Sequence, residues 1–407
     1  MTEISPALVD ALIDAMGPSF PEYVPGTRPI HSKGIGVGGS FVATEVASQY
    51  CAAKHFGGQA VPVTVRFSNG NGQLDPDFRL QVRGMAVKFF AGGTRESEPG
   101  RAHTDQHTVV GMGRVEDGPV VARPGEEIAE TDLICMSAPV FMAQSAERLL
   151  EFEQSYRAVK VRRPGLLKRI KSLLTMSPLL PLESGVTMSG NEGFLQWART
   201  YPPAQAFLLA NAGQRLPASY ARAVYDAVHA FEVHGATGTC RMVRFSLEPS
   251  DGVFTAGEPD PVQQPIASFL RPEDLNAHGS ELGADYLQRE LRQRLSYAPG
   301  RFNLRMQIAD PWDDTSDPTV AWPTSRRRVL MGTLTLTHVL ADQLEGCELL
   351  SFNPGRLLEG MAISNDPVLG ARSAVYEASY QRRIAARGTH ATTPSAAASP
   401  GCPMGLS

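Results

Sequence analysis

Residues 61–72 read VPVTVRFSNGNG. Val61, Val63, Val65 and Phe67 alternate with Thr64, Arg66 and Ser68. A period of two puts the apolar set on one face of a β-strand and the polar set on the other. The segment VRGMAVKFF (82–90) reads as a second strand. On the other side, residues 30–46 (IHSKGIGVGGSFVATEV) alternate in part and contain four glycines, a strand with close backbone neighbours.

Further strands are predicted within 220–255 (VHAFEVHGA and CRMVRFSLEP) and at 301–308 and 327–340. Helices are predicted at 6–17, where apolar spacing stops at Gly17, and at 145–175, 285–297 and 364–386. Ser364 or Asn365 is placed to cap the last helix, and Pro367 suits its first turn. Strands outnumber helices in the first and last thirds, which favours an α+β antiparallel barrel with added helices. The domain reading is an N-terminal docking helix (1–19), one domain over 20–386 that contains an inserted excursion at 91–130, and a disordered tail (387–407) rich in Ala, Ser, Thr, Pro and Gly.

The chain has 407 residues, 42% of them hydrophobic and 20% charged, with a net charge of −4. This composition excludes a disordered chain, a collagen-like fibre and a disulfide-stapled miniprotein. It also gives no global attraction to nucleic acid. The five cysteines (Cys51, Cys135, Cys240, Cys347 and Cys402) form no CxxC pair and read as reduced thiols. The first residues carry Glu3, Asp10 and Asp14 and no basic region before an apolar core, so a cytoplasmic protein is expected. No apolar run reaches the length of a membrane span. The basic stretch 157–175, containing GLLKRIKSLL, could touch a membrane surface, but a solvated helix face is the simpler reading.

Several residues could carry chemistry. In the last helix Arg372, Tyr376 and Arg383 lie roughly on one side. Positive charge near a tyrosine favours the phenolate, which is a known axial ligand for haem iron. His31 could act as a proton shuttle if Ser68 hydrogen-bonds its ring. His103 and His107 have i, i+4 spacing but sit in a Gly/Pro/Glu-rich loop, so surface histidines are favoured over a metal pair. DPWDD (310–314) reads as a turn rather than a calcium loop. Cys402-Pro403 in the tail is a weak candidate for transient haem ligation.

Taken together, RPIHSKGIGVGGSF (28–41), VPVTVRFSNGNG (61–72), VRGMAVKFF (82–90), DLICMSAPVF (132–141) and GMAISNDPVLGARSAVY (360–376) resemble the catalase family of haem proteins. DPTVAWP (317–323) and VLMGTLTL (329–336) continue the same order. The likeness is to short members that keep the eight-stranded barrel core. The resemblance implies haem b as cofactor. By it, His31 is the distal histidine, Ser68 its hydrogen-bond partner, and Tyr376 the proximal iron ligand with Arg372 beside it. Arg28, Arg66 and Arg383 would contact the propionates, and Phe141 and Leu149 would line the haem side.

The resemblance breaks at one place. Family members that dismutate hydrogen peroxide carry asparagine three residues before the proline of this block, and here that position is Met136, with Ser137 next to it. Methionine cannot donate a hydrogen bond, and Ser137 could do so only in a shifted register. Ile30, before His31, is catalase-like rather than like the related allene oxide synthases, which usually have threonine there. The expected activity is haem-dependent oxidation with organic or lipid hydroperoxides, or peroxide-driven oxidation of a small molecule. A true hydrogen peroxide catalase, an allene oxide synthase-like rearrangement enzyme and a non-catalytic haem-binding protein are the alternatives. A homo-oligomer is expected, as for many family members.

Overall fold

The computed structural model describes residues 4–17, 23–70, 76–78, 81–91, 130–157, 161–162, 187–188, 200–212, 214–256 and 282–391. Helix α1 (Pro6–Met16) begins at Ser5, whose hydroxyl accepts from the Leu8 amide at 3.3 Å, and it ends at Gly17. Strands β1 (Gly34–Ala43), β2 (Val61–Asn69), β3 (Arg83–Phe90) and β4 (Glu130–Met136) follow, then helices α2 (Ala146–Arg157) and α3 (Pro202–Ala212). Strands β5 (Tyr225–His234) and β6 (Cys240–Pro249), helix α4 (Tyr286–Tyr297), strands β7 (Gly300–Ile308), β8 (Arg328–Val339) and β9 (Met361–Ile363), and helix α5 (Pro367–Ala391) complete the order.

Eight strands run antiparallel in the order β5-β4-β3-β2-β1-β8-β7-β6, and β6 pairs back to β5, so the sheet closes into a barrel. The short β9 adds to the edge of β5. Closure leaves no open edge in the barrel. The interior is filled by Val63, Val65, Phe67, Val87, Phe89, Phe245, Phe302 and Leu334, all at most 2% exposed. Burying each such side chain stabilises by roughly 1.5–3 kcal/mol. Curvature is set partly by bulges. One falls between Gly38 and Gly39 of β1, where a Cβ on Gly39 would lie 2.0 Å from the Thr335 carbonyl oxygen. Strand β2 is buried on both faces, because the segment around residues 28–33 and the turn before residue 350 cover its outer side. Its alternation therefore separates two buried environments rather than core from solvent.

The helices form a second, smaller core outside the barrel. Val9, Leu12, Ile13 and Met16 of α1 pack with Phe141, Leu149, Val368 and Val375. On the exposed side of α1, Asp10 and Asp14 each pair with Arg382 of α5 at 2.7 Å. Beneath the 351–358 segment lies a buried ion cluster. The Lys88 ammonium contacts Glu130 and Asp132 at 2.7 and 2.8 Å, and Arg356 reaches Asp132 at 3.0 Å. Removing one partner from such a cluster leaves a buried charge uncompensated.

Three expectations need correction. The cap of α5 is Asp366, not Ser364 or Asn365: its carboxylate accepts from the Val368 and Leu369 amides at 2.8 and 3.3 Å. Being directly before Pro367, it is the residue whose side chain can reach those donors. The helix also continues through Ala391, so the tail begins after it; residues 392–407 lie outside the described residues, with Cys402 among them. The helix expected across 145–175 ends at Arg157, since Val161–Arg162 pairs with Thr187–Met188 as a separate two-stranded ribbon. Residues 163–186 and the excursion at 92–129, which holds His103 and His107, are outside the described residues. DPWDD is a turn: the Asp310 amide donates to the Asp313 carboxylate at 2.8 Å, and Arg326 pairs with both side chains. No helix among the described residues is long and apolar enough to cross a membrane.

One core residue is anomalous. His55 is fully buried between the rings of Phe41, Phe56 and Phe89, and among the described residues neither ring nitrogen has a hydrogen-bond partner. Burial lowers its pKa to about 3. The unfolded chain binds that proton near the ordinary value of about 6.5, so falling pH drains stability between about 6.5 and 3. Replacing His55→Phe removes the two unpartnered atoms and is expected to stabilise the fold by about 1–3 kcal/mol at neutral pH. The gain should widen at pH 5; urea midpoints at the two pH values check this.

Candidate active site

A cavity partly open to solvent lies between the outer face of the barrel and helices α1, α2 and α5; together with the solvent at its mouth it spans about 1210 Å³. Its walls are mainly aliphatic and thioether side chains. Two polar constellations face each other across it.

The first is built on β2 and β3. His31 lines the cavity and is, among the described residues, the one non-glycine residue with a left-handed backbone, at φ 54°. Such a conformation costs roughly 1–3 kcal/mol and persists only when its surroundings impose it. Here the Arg66 guanidinium donates to the His31 and Ser32 carbonyl oxygens at 2.7 and 3.2 Å. The His31 amide donates to the Gly70 carbonyl oxygen, and ring atom Nδ1 meets Ser68 Oγ at 3.0 Å. Gly84 opposite Ser68 makes the room, since a Cβ there would lie 2.6 Å from Ser68 Oγ and 2.9 Å from His31 Nδ1. Burial lowers the His31 pKa to about 3, aided by the Arg66 and Arg372 charges. The imidazole is therefore neutral at physiological pH and able to accept a proton.

The second constellation sits on α5 and β5. Arg372 donates to the Tyr376 hydroxyl at 3.0 Å and to His229 Nε2 at 2.7 Å. A guanidinium can only donate, so Nε2 accepts. His229 Nδ1 then carries the proton and donates to Asp366 at 2.6 Å. Burial, and secondarily Arg372, lower the His229 pKa, opposed by Asp366; this agrees with a neutral ring. Phe141 walls this chain, with the Arg372 guanidinium 5.2 Å from its ring centre.

A cationic corner closes one end of the cavity. Glu348 bridges Arg66 at 2.9 Å and Arg28 at 2.6 Å. Burial works against its carboxylate, but Arg66 and Arg28 outweigh burial and hold its pKa down to about 2. Arg28 also donates to the carbonyl oxygens of Cys347 and Leu350. Arg383 is 6% exposed and its Nε has no hydrogen-bond partner among the described residues. Burial and the neighbouring Arg28 charge lower its pKa to about 9, against Glu348.

The residues that the resemblance assigned to the site all line this cavity: Arg28, His31, Arg66, Ser68, Phe141, Leu149, Arg372, Tyr376 and Arg383, with Ile30 and Met136. Met136 ends β4 opposite Gly84. Ser137 does not take its place. Its hydroxyl accepts from the Arg83 amide at 2.9 Å and donates to Gln214 at 3.0 Å, away from the cavity walls. Sequence reading missed His229, Asp366 and Glu348. Strict alternation would send His229 into the barrel with Ala227 and Phe231. A two-residue bulge in β5 between those positions turns it outward instead. The dipeptide Asp366-Pro367, a cap followed by a first-turn proline, was the legible signal for Asp366.

The catalase family model matches residues 11–94 and 194–394. The chain is 32% identical over 363 residues to a catalase-related peroxidase of Mycolicibacterium paratuberculosis, covering 88% of this chain and 90% of that protein. It is 26% identical over 375 residues to a catalase-related peroxidase of Synechococcus elongatus, covering 92% and 88%. Catalase-2 of Bacillus subtilis is 24% identical, with 42% of its length spanned. A fungal catalase crystal structure superposes with a TM-score of 0.63 at 18% identity, over 89% of this chain and 60% of that one. The fold and site thus define a barrel oxidoreductase that reacts with peroxides. This chain belongs to the catalase family.

The Gly84 clearance makes a prediction. Gly84→Ala must displace Ser68 or the His31 ring, and is expected to slow the reaction with peroxide by about tenfold or more, equivalent to about 1.4 kcal/mol. Stopped-flow rates beside an unchanged far-ultraviolet circular dichroism spectrum check it.

Proposed function

We propose that this chain is a haem-dependent peroxidase that takes organic hydroperoxides in preference to dismutating hydrogen peroxide. The observation that carries the substrate reading is Met136, which stands beside Gly84 on the histidine side of the cavity where an amide donor would be needed. Together with Ile30, Ile134, Met142 and Leu149 it presents an apolar wall to whatever binds near His31. Such a wall favours an alkyl hydroperoxide, whose carbon chain it can bury, over hydrogen peroxide, whose second oxygen finds no donor there.

The residues present fit a haem. Three guanidiniums, Arg28, Arg66 and Arg383, face one carboxylate, Glu348, an excess of two positive charges. Two propionates match that excess, and the unpartnered Arg383 Nε offers a donor. Tyr376 would hold the iron, with Arg372 donating to its oxygen and Phe141 forming part of the apolar wall. Bound there, haem iron supplies redox cleavage of the peroxide O–O bond.

The chain's own residues do the rest. In the tautomer that donates from Nδ1 to Ser68, His31 leaves Nε2 free to accept the peroxide proton and return it to the leaving oxygen. The Asp366–His229–Arg372 chain holds the guanidinium against Tyr376 through fixed hydrogen bonds, so the ligand oxygen keeps its orientation. The aliphatic walls limit water at the reacting centre.

Tyr376→Phe is expected to lose most bound haem, read from the absorption spectrum after purification. Full occupancy in that variant would remove the ligand assignment. For substrate, oxygen release from hydrogen peroxide and consumption of an alkyl hydroperoxide are compared on the haem-loaded protein. Little oxygen with rapid hydroperoxide loss supports the reading, and Met136→Asn should then raise oxygen release several-fold. Vigorous oxygen release by the unmodified protein would make it a hydrogen peroxide catalase instead.

A further inference from the structure

On the far end of the β5–β6 hairpin, Glu232, His234 and Cys240 bring a carboxylate oxygen, an imidazole nitrogen and a thiol sulfur within 4.8 Å of one another. They are the only three histidine, cysteine or acidic side chains so grouped among the described residues. The register explains the meeting. Glu232 and His234 are two apart on β5 and share its outer face, and Cys240 on β6 lies directly across from His234. Ala227, Phe231 and Val233 face the barrel instead. Cys240 is the one exposed cysteine among the described residues; Cys51, Cys135 and Cys347 are buried.

We propose that this triad is a binding site for a borderline transition-metal ion, with zinc(II) the best match. The donor set is mixed nitrogen, sulfur and oxygen, which suits zinc and disfavours magnesium or calcium. With the thiol ionised, thiolate and carboxylate carry the two negative charges that balance a divalent ion. The spacing also fits. Tetrahedral zinc bonds of these types place their donor atoms roughly 3.3–3.6 Å apart. His234 Nε2 and Glu232 Oε1 stand 2.8 Å apart, so both donor atoms already point into one space that a small opening enlarges for a zinc ion. Exposure of the triad leaves the fourth position to water.

The backbone beneath the donors is already anchored. The His234 amide donates to the Gly360 carbonyl oxygen at 2.9 Å, and its own carbonyl accepts from the Ala52 amide at 2.7 Å. The turn between the strands is closed by the Gly235 amide donating to the Thr239 carbonyl oxygen at 2.9 Å, with Gly238 in the left-handed region at φ 77°. Fixed backbones under all three donors mean that binding costs side-chain ordering only. The site is separate from the cavity, none of whose walls it shares.

The test uses the full haem-loaded chain. Bound adventitious ions are removed with a chelator, and the protein is dialysed against buffered zinc(II). Zinc is counted by mass spectrometry for the unmodified protein and for Glu232→Gln, His234→Gln and Cys240→Ser. The unmodified chain is expected to retain one more zinc than any of the three variants, each binding about tenfold or more weakly. Equal zinc in all four proteins overturns the proposal; since Cys402 is present in every one, its own binding cancels. Zinc-edge X-ray absorption on the unmodified protein gives an independent reading that needs no variant to fold. A single sulfur near 2.3 Å with nitrogen or oxygen neighbours supports the site, and a shell without sulfur removes it.

Discussion

Much of the site depends on satisfying one buried cation. Arg66 is 3% exposed, and a guanidinium out of water must find acceptors or lose far more than the fold can spare. It takes the carbonyl oxygens of His31 and Ser32 and the carboxylate of Glu348. The first two contacts hold His31 in a backbone conformation it would not otherwise keep. The third brings the 347–350 turn down onto β2. Glu348 in turn draws in Arg28, so among the described residues of this corner three guanidiniums, with Arg383, share that one carboxylate. A single strand position thus connects the barrel, His31 and the arginine cluster at the cavity.

The other wall follows a different logic. Helix α5 is capped by Asp366, whose two oxygens are divided between the helix amides and His229. Oδ1 accepts from the helix amides, while Oδ2 accepts from His229. The helix start and the orientation of the Tyr376 partner are thereby set by one carboxylate. Because a guanidinium can only donate, His229 Nε2 accepts from Arg372 and Nδ1 donates to Asp366. The barrel bulge in β5 is the feature that makes the link possible, since it presents His229 to the helix rather than to the core.

The family frame makes the departures informative. His31, Ser68 and the arginines all line the cavity, as the resemblance implied. The departure is in the lining: Met136, Ile30, Ile134 and Leu149 give the wall beside His31 an apolar surface, and the proposed preference for organic hydroperoxides rests on that difference.

Some of this was written in local sequence. Alternation in 61–68 and 82–90 determined the strands and their two faces, because side-chain direction in a strand follows from covalent geometry. The spacing of Arg372 and Tyr376 put them on one helix face for the same reason. The order of the motifs determined the family. The tertiary structure alone decided the rest. It closed the sheet through β5–β6, turned His229 out of the barrel, placed Met136 rather than Ser137 in the cavity wall, and joined Glu348 to two arginines about 280 and 320 residues away in sequence. These are long-range contacts, chosen by which buried charges and donors can satisfy one another in three dimensions, and no local periodicity encodes that choice.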